Sequence, residues 1–297
     1  MEKIVDLHIH TNCSDGEFTP FEVIDFAYKN RLNTISITDH DTIAAYSRDL
    51  IEYAKLKNIN LISGVEISAK INKFGIHVLG YNFDINNNKL NSKLNKLRKS
   101  RHNYLFNVAK KLNKLGYLVN TEKLKNITAV TKAHIALDIV NNFKNKELLI
   151  KNFNHVPSKG EFIEMLMNEG CPAYVEKDSI TPVEAARLIK KAGGKVVLAH
   201  PVAYTYEDNM TVDEIKNILD LMKADGIEAY YIYIDRKNNK HNDIDKWKKF
   251  ANDNGKFVTV GSDFHFKDKI HPIIGLLNEG INIPLEEINQ ILKEITK

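Results

Sequence analysis

A chain of 297 residues with 43% hydrophobic and 27% charged residues has the composition of an ordinary globular protein and the length of one α/β barrel or two modest domains. No stretch reaches the roughly 20 apolar residues that a membrane-spanning helix requires, so a membrane partner is excluded. The 42 Lys and Arg against 38 Asp and Glu leave a net charge of only +4, spread over scattered lysines. That argues against a coat for long duplex nucleic acid and remains compatible with a small anionic substrate.

Met1 leads directly into the apolar run Ile4 to Ile9, without a basic and apolar leader, which points to a cytoplasmic chain. Its two cysteines, Cys13 and Cys171, form neither a CxxC pair nor a disulfide framework and read as free thiols. Ile4 to Ile9, Thr34 to Thr38, Leu61 to Ser68 and Ile76 to Tyr81 read as strands. Thr19-Pro20-Phe21-Glu22 supplies an N-cap, a proline at the first helical position and a capping glutamate, so a helix follows the first strand. Asn86 to Lys99, rich in Asn and Lys, reads as a seam. From about Leu90 to Gly170 strand signals are absent, and Leu97, Arg101, Leu105, Val108, Leu112 and Leu115 share one helical face. The Thr-Pro-x-Glu device returns at Thr181, and Lys195 to Ala199, Gly226 to Ile234 and Lys256 to Val260 read as further strands. Strands alternating with capped helices imply parallel βαβ units.

The chemistry lies at the strand ends. His8 and His10 follow the first strand, Asp39 and His40 the second, and Glu66 and His77 fall in the next two. His200 closes Val197-Leu198-Ala199, and Asp263 with His265 follows Val258-Thr259-Val260. Asp15 lies in the loop after the first strand. Residues at the C-terminal ends of barrel strands face a common site, and His8 and His10, two apart on a strand, project to one side. Imidazole with carboxylate suits manganese, iron or zinc, and so many donors imply more than one ion, with Glu66 bridging. Such ions activate water near neutral pH and neutralise charge in phosphoryl transfer.

Asp6-Leu7-His8-Ile9-His10-Thr11, Ser14-Asp15-Gly16, Thr38-Asp39-His40-Asp41, Gly64-Val65-Glu66, Ala199-His200-Pro201 and Gly261-Ser262-Asp263-Phe264-His265 together resemble, in order and spacing, the motif set of the PHP (polymerase and histidinol phosphatase) family. The resemblance implies an α/β fold, a distorted (βα)7 barrel over 1–98 and 171–297 with an inserted helical cap over 99–170. It implies three divalent ions, Mn2+ first with Fe2+ or Zn2+ as alternatives. His8, His10, Glu66 and Asp263 would hold one, Glu66, His77 and His200 a second, and Asp15, His40 and His265 a third. Asp15, His40 and His200 would also act in catalysis, with Asp15 or a nearby histidine protonating the leaving alcohol.

Within that family, Thr131-Lys132-Ala133-His134-Ile135-Ala136 and Ala173-Tyr174-Val175-Glu176-Lys177 are similar to segments of the nucleoside 3',5'-bisphosphate phosphatases. Lys132, Ala133 and Glu176 depart from the pattern. The likeness implies that Arg101, His134 and Lys177 bind substrate, and a guanidinium on the inner face of its helix suits a bidentate phosphate contact. The expected reaction is hydrolysis of the 3'-phosphate of a nucleoside 3',5'-bisphosphate. Alternatives are 5'-3' exoribonuclease action on short RNA, histidinol phosphate hydrolysis, or a binding module that metal only staples. Cys13, His102, His155, His241 and His271 carry no pattern, and Tyr230, Tyr231 and Tyr233 read as strand packing.

Overall fold

The computed structural model describes residues 4–127, 129–176, 178–235, 238–267, 274–275 and 281–297; Lys177 and His271 lie outside them. The chain divides into two compact units, Met1–Lys93 with Ser179–Lys297, and Leu94–Asp178. The segment 99–170 falls within the second.

The first unit is an α/β structure around a seven-stranded sheet in the order β1 (Val5–Ile9), β2 (Thr34–Ile37), β3 (Asn60–Ile71), β4 (Phe74–Tyr81), β5 (Lys195–Leu198), β6 (Gly226–Tyr230) and β9 (Phe257–Val260). The two edges meet. Ile9 forms a parallel bridge with Phe264, His10 N–H donates to Phe264 O at 2.9 Å, and Ser262 N–H donates to the Asp6 carboxylate at 3.0 Å. All neighbours run parallel except β4, which is antiparallel to both β3 and β5. The expectation of parallel units throughout fails there for a steric reason. A parallel return needs a crossover of a dozen or more residues, whereas β3 and β4 are joined by Asn72-Lys73 alone, with Asn72 at φ 53°. The run to Ile234 also breaks: β6 ends at Tyr230, and β7 (Tyr233–Ile234) pairs instead with β8 (Lys240–His241).

Capping drives the helices as expected. The Thr19 hydroxyl accepts from Glu22 N–H and the Glu22 carboxylate accepts from Thr19 N–H at the start of α1 (Pro20–Lys29); Thr181 and Glu184 repeat the box at α8 (Pro182–Lys191). Val5, Leu7 and Ile9 enter apolar clusters and Asp6, His8 and His10 are buried polar groups, with a register shift between Asp6 and Ile9 that breaks strict alternation; Leu79, paired with Glu66, shares its face, so aliphatic side chains lie beside the polar ones.

In the second unit, α3 (Asn88–Lys114) is followed by α4 (Thr121–Leu124), α5 (Lys132–Val140), α6 (Lys146–Phe153) and α7 (Lys159–Leu166), with no strand among its described residues. Leu105, Val108 and Leu112 pack with Ile135, Ile139 and Phe162 in its core. Leu115 leaves the expected stripe, because the helix stops at Lys114 and the chain turns at Gly116, φ 91°. The Asn/Lys-rich stretch Asn86 to Lys99 is mostly helix, and the boundary between units falls inside it.

Candidate metal centre

The strand ends of the first unit bring His8, His10, Asp15, His40, Glu66, His77, His200, Asp263 and His265 together. Three sets of donors converge: His8, His10, Glu66 and Asp263; His10, Asp15, His40 and His265; and His40, Glu66 and His77. His200 joins the last through Nε2, 3.2 Å from Glu66 Oε1 and 3.3 Å from His77 Nδ1. Set against the expected grouping, His10 and His40 each face two sets, and the set with Glu66 and His77 contains His40 where His200 was expected.

Glu66 lies at the centre. Its Oε1 is 2.9 Å from His77 Nδ1 and 3.5 Å from His8 Nε2, and its Oε2 is 3.2 Å from His10 Nε2 and 2.9 Å from His40 Nδ1. Asp263 Oδ1 lies 3.2 Å from His8 Nε2 and 3.1 Å from His10 Nε2. Asp15 lies 3.4 Å from His265 and 3.6 Å from His40.

These spacings suit cations better than direct ion pairs. Two donors about 2.1 Å from a shared ion stand roughly 3.0–3.4 Å apart at octahedral or tetrahedral angles, longer than the ~2.8 Å of a charge-assisted hydrogen bond. The buried atoms Asp15 Oδ1, Glu66 Oε2, His40 Nδ1 and His200 Nδ1 have no hydrogen bond of acceptable geometry, although partners lie near. His8 Nε2 and His10 Nε2 face each other at 3.2 Å, a contact that requires a proton or a cation between two lone pairs. The residues present therefore fit divalent metal.

Electrostatics agree. Burial opposes protonation of His8 and His10, yet the carboxylates of Glu228, Asp263 and Glu66 around the first, and of Asp15, Asp263 and Glu66 around the second, raise both well above the usual imidazole range. Burial would raise Glu66 and Asp15, but the surrounding imidazoles hold both well below the usual carboxylate range. His40 goes the other way, pushed down to about 4 chiefly by burial. Raised pKa values mean that the ion-free pocket carries protons at neutral pH, and a cation must displace them. Manganese binding at pH 7 should therefore release about one proton or more per chain and weaken as pH falls. Calorimetry in buffers of different ionisation enthalpy reads this, and a buffer-independent heat would contradict it.

Backbone strain sits at the same loops, where His200 has φ 25°, Asp263 φ 53° and Asp41 φ 52°. Gly261 is required by space: a Cβ there would lie 2.2 Å from His8 Cβ and 2.3 Å from Glu228 Oε1. Asp39 accepts from Thr11 N–H at 2.7 Å and from the Thr11 and Ser14 hydroxyls, fixing the loop that carries Asp15.

Two residues of the site were not foreseen. Glu228, fully buried on β6, accepts from His8 Nδ1 at 3.0 Å and from His200 N–H at 2.8 Å. Tyr231, taken as packing, donates its hydroxyl to Asp263 Oδ2 at 3.2 Å, and its ring centroid lies 5.4 Å from that of His200. Only an acidic residue in an otherwise apolar strand hinted at Glu228. In the second unit, Arg101 is buried, with Nη1 3.5 Å from Val130 O. His134 is the N3 residue of the α5 capping box, its Nδ1 accepting from Thr131 N–H at 3.1 Å.

The model of the PHP domain family matches residues 6–193. A protein of Haemophilus influenzae named 5'-3' exoribonuclease is 31% identical over 90% of this chain and 91% of its own length. One of Chromobacterium violaceum named 3',5'-nucleoside bisphosphate phosphatase is 26% identical over 88% and 87%. Among solved structures, a metal-dependent phosphoesterase of Bifidobacterium adolescentis superposes with a TM-score of 0.74 at 21% identity, covering 98% of this chain and 96% of that one, a likeness of fold.

Proposed function

The chain belongs to the PHP domain family, and from that premise we propose that it is a metal-dependent hydrolase of phosphate esters. Its nine His, Asp and Glu side chains hold three divalent ions, manganese first, with iron or zinc also suited to the donors. The substrate is the 3'-phosphate of a nucleoside 3',5'-bisphosphate. The observation that carries the reading is Glu66, one buried carboxylate with both oxygens among the imidazoles of His8, His10, His40, His77 and His200.

Bound there, divalent ions lower the pKa of water and neutralise charge on a transferring phosphoryl group. The protein fixes the donors beforehand. Glu228 sets His8 with its Nε2 lone pair toward Glu66 and Asp263, and the Tyr231 hydroxyl steadies Asp263. Of the two expected proton donors, Asp15 or a nearby histidine, Asp15 is the one that His40 and His265 hold ionised, and it is assigned the role of an anionic anchor. Proton transfer to the leaving alcohol then falls to an imidazole, with His40 and His200 the expected catalytic histidines.

Arg101, with His134 and Lys177, is assigned to the phosphate that stays on the product. A hydrogen bond to a charged group contributes about 1.5–3 kcal/mol, so Arg101→Ala should lower the preference for 3'-phosphorylated AMP over AMP roughly 10- to 100-fold. Equal discrimination by both proteins would remove Arg101 from that role. A second reading, 5'-3' trimming of short RNA, is favoured by the 31% identity to the exoribonuclease.

The deciding measurement is phosphate release with manganese supplied, from nucleotides, bisphosphates and sugar phosphates, together with product analysis on end-labelled short RNA. Faster release from the bisphosphate than from AMP supports the first reading. Metal binding with no hydrolysis of any ester would mean a metal-stapled module instead. A cytoplasmic setting, consistent with Cys13 and Cys171 not being joined in a disulfide, belongs to the same proposal. No helix among the described residues is long and apolar enough to cross a membrane.

A further inference from the structure

The net charge of the chain is not spread evenly. Leu94–Asp178 holds 15 Lys and Arg against 8 Asp and Glu, a net +7, which leaves 27 against 30, a net −3, for the remainder. A unit of 85 residues with that excess attracts polyanions, and one small phosphorylated substrate does not require it.

Within this unit the charge frames a pocket of about 380 Å³, lined by Asn95, Arg98, Lys99 and His102 of α3 and by Lys125 and Asn126 just after α4. The spacing i, i+3, i+4, i+7 puts the four α3 residues on one stripe of that helix. Among the described residues no acidic one lines the pocket. Its walls are tied together, since His102 Nε2 donates to Lys125 O at 3.1 Å. The Lys125 ammonium is paired with Glu122, and one Arg98 nitrogen, Nη2, contacts the Asn95 side-chain oxygen. Arg98 Nε is buried without a hydrogen-bond partner, and donors in this state are rare in native structures unless a ligand or water completes them.

We propose that this pocket binds a backbone phosphate of single-stranded RNA, away from the phosphate that is hydrolysed. A guanidinium with an unsatisfied Nε–H, on a helix stripe that also carries Lys99, suits a phosphodiester, which shares one negative charge between two oxygens. The pocket reads charge and not sequence, so it serves any short RNA. This rests on the second reading above, short RNA as substrate, and goes beyond it in giving the helical unit an RNA site separate from Arg101.

The test uses the full chain with manganese and a fluorescent ten-nucleotide RNA whose phosphorothioate linkages resist cleavage. Arg98→Gln and Lys99→Gln, each with an unchanged melting temperature, should weaken binding about tenfold at low salt. Each phosphate contact on a single strand contributes about 0.7 to the slope of log affinity against log salt, so Arg98→Gln should flatten the slope by roughly that amount. Unaltered affinity and slope in both variants would overturn the proposal, as would equal weakening for inorganic phosphate and for RNA, which marks a free-phosphate site. Because binding is read without turnover, a protein that binds RNA through Arg98 yet hydrolyses nothing would fail the phosphoesterase reading alone.

Discussion

Glu66→Gln should lower turnover by about 10³-fold or more while leaving the fold intact. The isosteric amide keeps the side-chain volume but replaces one oxygen with a donor group, removes the negative charge, and cannot serve cations on both sides. Metal sites supply several kcal/mol of transition-state stabilisation, and each 1.36 kcal/mol is tenfold in rate. Glu66 touches five candidate ligands, since its two carboxylate oxygens lie within about 3.5 Å of the imidazole nitrogens of His8, His10, His40, His77 and His200. The measurement is kcat beside the metal content of the purified variant. Full activity with a full complement of metal would sink the assignment of these nine residues as ligands. His8→Ala and Asp263→Ala should also abolish turnover, each removing one donor.

Glu228→Gln should weaken manganese binding about 10- to 100-fold, the usual effect of removing the partner of a ligating histidine. Glu228 touches no member of the donor sets except His8 and, through its backbone, His200. Its carboxylate accepts from His8 Nδ1, which leaves Nε2 as the free lone pair toward Glu66 and Asp263. An amide at that position can present either end, so the tautomer is no longer fixed. Glu228→Asp, which keeps the acceptor on a shorter stem, should recover part of the affinity. Metal affinity measured by competition with a fluorescent chelator separates this role from a packing role. If Gln and Asp variants both bound manganese as the native protein does, Glu228 would be no more than buried polar filling.

The candidate ligands were legible because they are local in sequence relative to the strands that present them. His8 and His10 are separated by one strand period, His40 follows a four-residue apolar strand, and Asp263 and His265 follow another. Where a residue acts through a partner far along the chain, sequence is silent. Glu228 meets His8 across 220 positions, and nothing in Gly226-Ile227-Glu228-Ala229-Tyr230 declares which residue it will face. Tyr231 is silent in sequence for a related reason: the strand ends one residue before it, at Tyr230, and its ring turns toward His200 and Asp263. Likewise, Thr131 and His134 read as a substrate motif, while the folded chain also uses them as a helix cap.

By itself the sequence determined the α/β class, the capped helices, the position of the helical segment and the set of candidate metal ligands, because these depend on periodicities of two and 3.6 residues and on turn chemistry. The tertiary structure decided the rest. It turned β4 against its neighbours, since a two-residue connection cannot make a parallel return. Only there do the two ends of the sheet meet, with Ile9 beside Phe264, so that histidines from both ends of the chain surround one carboxylate. It also brought Lys125 and Asn126 beside the stripe of Arg98, Lys99 and His102 on α3, because residues distant in sequence become neighbours only when the chain folds back.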